Sequence, residues 1–125
     1  MLEEVRRGAE FFDEDFFYMA EDVDLAWRAR RKGWSVRVAA PCACWHAGNS
    51  ARATKREKDF YSVRNRFLMM LKNDPPGRLA LFSAPLFCYD VLRSAVFCAR
   101  GEAGVYAGAV ASAFMILRRK RREVR

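Results

Sequence analysis

Between Phe11 and Asp24 the chain sets six acids among five aromatic residues: Phe11-Phe12-Asp13-Glu14-Asp15-Phe16-Phe17-Tyr18-Met19-Ala20-Glu21-Asp22-Val23-Asp24. A solvated loop would not carry so many rings, and a core strand would not carry so many carboxylates. Acids held against aromatic surface form a pocket wall, where desolvation and neighbouring charge tune proton affinity, so chemistry is expected here. A second group is Cys42-x-Cys44-x-His46. On an extended strand this alternation puts all three side chains on one face and invites a zinc reading. No second ligand pair stands at the usual spacing, so zinc is not expected. No signal peptide precedes the four cysteines, since Met1 is followed at once by Glu3, Glu4, Arg6 and Arg7. Reduced thiols in a cytoplasmic setting are expected.

The elements that must position these residues follow from local pattern. Residues 1–8 read as a helix fragment closed by Gly8, and residues 9–20 as a loop. A helix then begins at Glu21 or Asp22, either of which can cap it, with Asp24 placed four residues before Arg28 and Gly33 as the C′ residue. Residues 34–38 alternate apolar and polar as a half-buried strand does, Ala40-Pro41 breaks it, and residues 42–46 read as a second extended run. Residues 47–57 are small, polar and basic, and predict a loop. Phe60 to Lys72 predicts a helix with Phe60, Val63, Phe67, Met70 and Leu71 on its apolar stripe and Arg64 and Lys72 off it. Asn73-Asp74-Pro75-Pro76-Gly77 stops that helix and is the one place for a domain boundary.

Composition narrows the class. The 125 residues suit one ordinary domain, and a hydrophobic content of 52% is enough for a core. The net charge of +8 is unevenly spread, because nine of fifteen acids lie within residues 1–24. The remainder is strongly basic and ends in Arg118-Arg119-Lys120-Arg121-Arg122, a pattern that meets anions. Nucleic acid is not the expected anion, since the bases are not interleaved with exposed aromatics and no reading motif is present. Residues 79–99 and 104–117 are apolar, but the first is broken by Pro85, Asp90 and Arg93, and the second holds only fourteen residues against the roughly 20 of a span. Helices lying in a bilayer interface beside a polybasic anchor fit these segments, as do helices buried against the first half.

Four motifs, taken in order, give the acidic run a narrower reading. Glu21-Asp22-Val23-Asp24-Leu25, with Trp27-Arg28 behind it and Gly33-Trp34 after, resembles the acidic signature of family 2 glycosyltransferases, the inverting nucleotide-sugar enzymes of the GT-A fold. Phe11-Phe12-Asp13-Glu14-Asp15-Phe16-Phe17 is similar to the family's "G-F-D-E-x-F-F" approach, with Phe11 where glycine is usual. Residues 38–46 resemble its strand, proline and closing histidine. Phe60 to Arg66, with Lys72 to Pro76, resembles the "Y-x-x-R-N-R" helix and "K-N-x-P" stop of rhamnosyltransferase-like bacterial members.

The resemblance implies an α/β fold over residues 1–77, a partial GT-A-like fragment of acidic loop, helix, short strands and helix; the residue pattern adds an α-helical basic tail over residues 78–125, for which association with the membrane is one of the two readings above. It implies that Asp22 is the general base that deprotonates an acceptor hydroxyl, and that Glu21 binds acceptor hydroxyls or orients the loop; on the residues alone, Asp22 as a helix cap is the competing reading. It makes His46 a ligand to a divalent metal, Mn or Mg. Trp27 would stack on a sugar, or pack in a core. Arg52, Lys55 and Arg56 would close over the donor diphosphate, or form a solvated basic loop. One of Arg64 and Arg66 would pair with Asp13 or Asp15. The implied partners are a nucleotide-sugar donor, a glycan or lipid-linked acceptor of the cell envelope and the inner-membrane surface. With no "D-x-D" ahead of Glu21, the donor-binding half is expected to lie outside this chain, which alone would be inactive. The alternative class is a non-catalytic membrane-surface or partner-binding protein.

Overall fold

Helices account for most of the chain, and their ends sit where local chemistry places them. The computed structural model describes residues 1–37, 42–43 and 53–123. Helix α1 (Leu2–Val5) is a single turn. The loop after it is pinned by an antiparallel bridge between Arg7 and Glu10 and by a 3-10 turn at Glu14–Phe16. Helix α2 (Glu21–Arg31) stops because Gly33 adopts a φ of +89°, which costs glycine nothing. The Trp34 N–H then donates to the Ala29 carbonyl at 3.1 Å and the Gly33 N–H to that of Arg30 at 3.0 Å, the two bonds of a Schellman motif.

Helix α3 (Lys55–Asn73) starts earlier than the apolar stripe alone predicts, because Thr54 and Glu57 form a capping box. The Glu57 carboxylate accepts from the Thr54 N–H at 2.7 Å and from its hydroxyl at 2.9 Å. These bonds hold the Glu57 carboxyl below the 4.5 of an unperturbed glutamate. A depressed folded-state value contributes stability that is present above the unfolded pKa and lost as pH falls through the folded one. Glu57→Gln is therefore expected to lower the melting temperature at pH 7 and to match the parent in strong acid. Thermal melts across that window check it; a pH-independent difference would refute the assignment.

Helices α4 (Pro76–Leu81), α5 (Ser83–Ala99) and α6 (Ala103–Glu123) complete the chain. Pro75 and Pro76 end α3 and open α4, where a missing N–H is harmless. Along α3, Val63 meets Val105 and Ala109, and Leu68 meets Ala113 with Phe16 beneath, so α3 and α6 run parallel. The small residues on that face of α6 let the two helices approach closely. Helix α5 runs the opposite way: Arg93 reaches Ser62 and Arg100 reaches Asp59. Phe97 joins the core from α5, while Phe60 and Phe67 fill the flanks.

The expected α/β fragment is overturned. Of the described residues 73% are in helices and 2% in strand, and among them there is no sheet. The predicted strand at 34–38 fails over its described part. Val36 is 55% exposed, and Trp34 lies outside with its indole N–H on Glu4 at 3.1 Å. Alternation makes a strand only where another strand accepts the ladder, and none does so among the described residues. Cys42 is exposed and not in a strand, and the rest of the 38–46 reading lies outside the described residues. Among the described residues no helix is long and apolar enough to cross a membrane.

Candidate functional site

The six acids of the aromatic run separate into two groups once their surroundings are known. Three are committed to cations. Asp13 accepts from Lys72 Nζ at 2.7 Å and from Arg7 Nη1 at 3.0 Å, and Asp15 accepts from the same lysine. Asp24 is fully buried between Arg28 Nε at 2.8 Å and Asn73 Nδ2 at 2.6 Å. The helical spacing of Asp24 and Arg28 thus gives a buried pair. Arg28 extends it by donating to the Val5 and Phe11 carbonyls, which ties α1 and the loop to α2. Lys72 and Asn73, at the end of α3, are therefore what anchors the acidic segment.

The backbone of the same segment is held by the middle of α3. Asn65 is 1% exposed, and its Nδ2 donates to the carbonyls of Phe16, Tyr18 and Met19 at 3.0, 2.7 and 2.6 Å. Arg64 donates to the carbonyls of Asp15 and Phe16 at 2.9 and 2.7 Å. Burial pulls the Arg64 guanidinium below its ordinary value, opposed by the nearby Tyr61 and Asp15, but arginine stays charged at any working pH. The turn so gripped is strained: Phe17, Met19 and Ala20 have φ of 54°, 69° and 69°. Left-handed backbone at non-glycine residues persists only where surroundings enforce it, and it concentrates at functional sites.

Glu21 and Asp22 follow directly, in the first turn of α2. The helix cap is Ala20, whose side chain offers no bond, so neither acid is the cap. Asp22 is exposed and its Oδ1 accepts from the adjacent Val23 N–H at 2.8 Å. Glu21 is partly buried, and its Oε2 is out of solvent with no hydrogen-bond partner among the described residues. A buried acceptor left open in this way marks a place where a hydroxyl donor would be welcome.

Beside them, α2 forms one wall of a groove of about 580 Å³ lined by Val23, Ala26, Trp27, Arg30, Arg31 and Arg78, with Val36. Trp27 thus lines the groove while partly buried. Arg56 lines a different hollow, of about 360 Å³, together with Phe60 and Tyr61. The Tyr61 ring lies 5.7 Å from that of Tyr18 and links this hollow to the strained turn. Lys55 is exposed at the start of α3. His46 and Arg52 lie outside the described residues.

A divalent ion does not fit the residues described. Among them no three histidines, cysteines or acids converge, and Asp13 and Asp15, which have the "D-x-D" spacing, face ammonium and guanidinium groups. The pairing of Arg64 or Arg66 with those acids is also corrected. Arg64 takes carbonyls, Arg66 takes Asp90 of α5, and Lys72 takes both carboxylates. Asn65, Lys72, Asn73 and the arginines of the groove are the positions that sequence reasoning gave no role. The only signal for the first three was their place inside "R-N-R" and "K-N-x-P". No family model matches this chain, and comparisons with curated proteins and with solved structures return no match.

Proposed function

We propose that this chain supplies the acceptor side of a sugar-transfer site, in which Asp22 is the general base. The observation that carries the reading is the division of the acids. Asp13, Asp15 and Asp24 are neutralised by cations, while Glu14, Glu21 and Asp22 have none among the described residues, and the last two stand together at a helix N-terminus behind a strained turn. What sets Glu21 and Asp22 apart from Glu14 is that they stand side by side at the head of α2, with one Glu21 oxygen out of solvent and open.

In the proposed reaction an acceptor hydroxyl lies against Asp22, within reach of the open oxygen of Glu21, which accepts a hydrogen bond from a neighbouring hydroxyl. Asp22 removes the proton as the acceptor oxygen bonds to the anomeric carbon from the face opposite the leaving group. The bond to the nucleoside diphosphate breaks, with inversion, and the diphosphate departs with the electron pair. Trp27 offers a ring face for the acceptor sugar. Lys55 and Arg56, with Arg52, supply positive charge toward the diphosphate. Any metal role rests with His46, and no step above is routed through one. The nucleotide-sugar is held by a separate half, and the acceptor belongs to the cell envelope, met on the cytoplasmic side of the inner membrane. The helical fold differs from the one the motifs imply, so the reading stands on their chemistry alone.

Asp22→Asn keeps shape and removes the base. Membranes containing the chain and its donor-binding half are expected to lose label transfer from nucleotide-sugar to envelope glycan by about a hundredfold or more, with helicity unchanged by circular dichroism. Transfer retained within a few fold would end the proposal.

A further inference from the structure

Helix α5 is built inside out. Its two charged residues, Asp90 and Arg93, turn inward, and its outward half carries none. Asp90 accepts from Arg66 and, at 2.8 Å, from the Tyr106 hydroxyl. Arg93 donates to the Ser62 hydroxyl at 2.8 Å and to that of Tyr89 at 2.9 Å. Desolvation holds the Arg66 guanidinium below its ordinary value, as expected of charge drawn into the packed side. Outside, Phe87 and Leu92 are 69% and 70% exposed, and Val91 and Val96 about half exposed. Leu81, at the end of α4 just before α5, and Met115 on α6 are also apolar and exposed, at 76% and 63%.

A water-facing helix gains nothing from hiding its ions and showing its rings. The occupant of such a face must offer apolar surface and ask for few hydrogen bonds. A specific protein partner would bring about one hydrogen bond per 100–200 Å², and the charged groups of α5 that could answer are already engaged inside. A bilayer asks for none. The charge pattern favours the same occupant. Because α6 runs parallel to α3, its basic end comes to the end of α3 from which α4 departs. Arg118, Arg119 and Arg78 are exposed there, and Arg119 keeps a 3.6 Å contact with Asp15. Since no described helix can span, the contact is one that lies in the interface plane.

We propose that the outward face of α5, with the end of α4, docks on an anionic lipid surface, Arg78 and Arg118 reaching the headgroup phosphates. This gives a face and an orientation to the membrane partner of the preceding reading, yet it does not depend on Asp22 being a base.

Flotation of the full chain with phosphatidylcholine vesicles, with and without phosphatidylglycerol, tests it. The chain is expected to float with the anionic vesicles. Phe87→Glu with Leu92→Glu should weaken partitioning about a hundredfold, since each side chain loses an apolar burial. Arg118→Ala should weaken it about fivefold and only on anionic vesicles. Both acids enter at exposed positions, so helicity should persist. A second readout needs no such variant. With Cys42, Cys44 and Cys98 changed to serine, a polarity-sensitive dye on the exposed Cys88 should shift to an apolar emission on anionic vesicles. Failure of the parent to float, an unshifted dye, or a soluble dimer that Leu92→Glu dissociates without changing vesicle binding would each overturn the proposal. Flotation that fails while Asp22→Asn still abolishes transfer would remove the membrane face and leave the acceptor site.

Discussion

Replacing Lys72 by methionine is expected to destabilise the chain by about 3–5 kcal/mol, the cost of removing one partner from a buried ionic cluster. The volume is kept, so the loss is one of charge. The Lys72 side chain is 4% exposed, and the two carboxylates it serves, on Asp13 and Asp15, are 1% and 7% exposed. Without the ammonium, two acids two residues apart would face each other in a poorly solvated space. Their other ion pairs among the described residues are more exposed. Arg7 reaches Asp13 from a side chain 32% exposed, and Arg119 stands 3.6 Å from Asp15 with 66% exposure. Such solvent-facing partners are screened and contribute little. The ammonium also lies 5.5 Å from the centre of the buried Phe16 ring, a contact methionine replaces only in part.

For a domain of this size each kcal/mol moves the melting temperature by several degrees, so Lys72→Met should melt tens of degrees below its parent. Chemical denaturation gives the same quantity directly. Asp13→Asn with Asp15→Asn, added to Lys72→Met, should recover much of the loss, because the charge left unpaired is what costs. A single variant melting within a few degrees of the parent would show that the acids are solvated and the cluster incidental. No recovery in the triple variant would place the loss in packing.

The sequence made α2 legible because its signals are local. Asp24 and Arg28 are one helical turn apart, and Gly33 supplies the left-handed residue that ends it. The stop of α3 at Asn73 was equally plain in the prolines that follow. Its start was legible too, in Thr54 and Glu57, but the basic character of residues 47–57 masked a capping box. What failed was whatever depended on a distant partner. The alternation of residues 34–38 names a strand only if another strand is at hand. Arg64 and Lys72 stood off the apolar stripe, yet the side chains of both are buried. The stripe argument sends polar groups outward, while here they face inward because a loop some fifty residues earlier presents carbonyls and carboxylates to them. Asp90 and Arg93 misled in the converse way, as interruptions of an apolar segment whose apolar side faces out. Of the candidate site, Glu21 and Asp22 were named from the motif, but the reason they differ from the other acids lay in Lys72, Arg28 and Asn73.

Asn65→Leu is expected to separate holding the site from being the site. Leucine shares asparagine's branched skeleton and is the nearest apolar replacement in shape, while the carbonyls of Phe16, Tyr18 and Met19 lose their buried donor. Unsatisfied buried acceptors put the loss at about 2–4 kcal/mol. The strained turn adds a second consequence. Met19 and Ala20 stay in left-handed backbone against a preference of about 1–2 kcal/mol each, and Asn65 is the side chain that grips both sides of that turn. Freed of it, residues 17–20 should relax to ordinary backbone and carry Glu21 and Asp22 away from their present place at the head of α2. Amide exchange measures this locally: protection over residues 16–22 should fall by an order of magnitude or more while α5 and α6 keep theirs. Sugar transfer should fall with it, although Asp22 is intact. Ala20→Gly is the opposing arm, since glycine accepts a φ of 69° without strain and should leave the turn in place and stability equal or higher. If Asn65→Leu leaves exchange and transfer unchanged, the turn holds itself, and the helix that carries "R-N-R" has no part in positioning the acids.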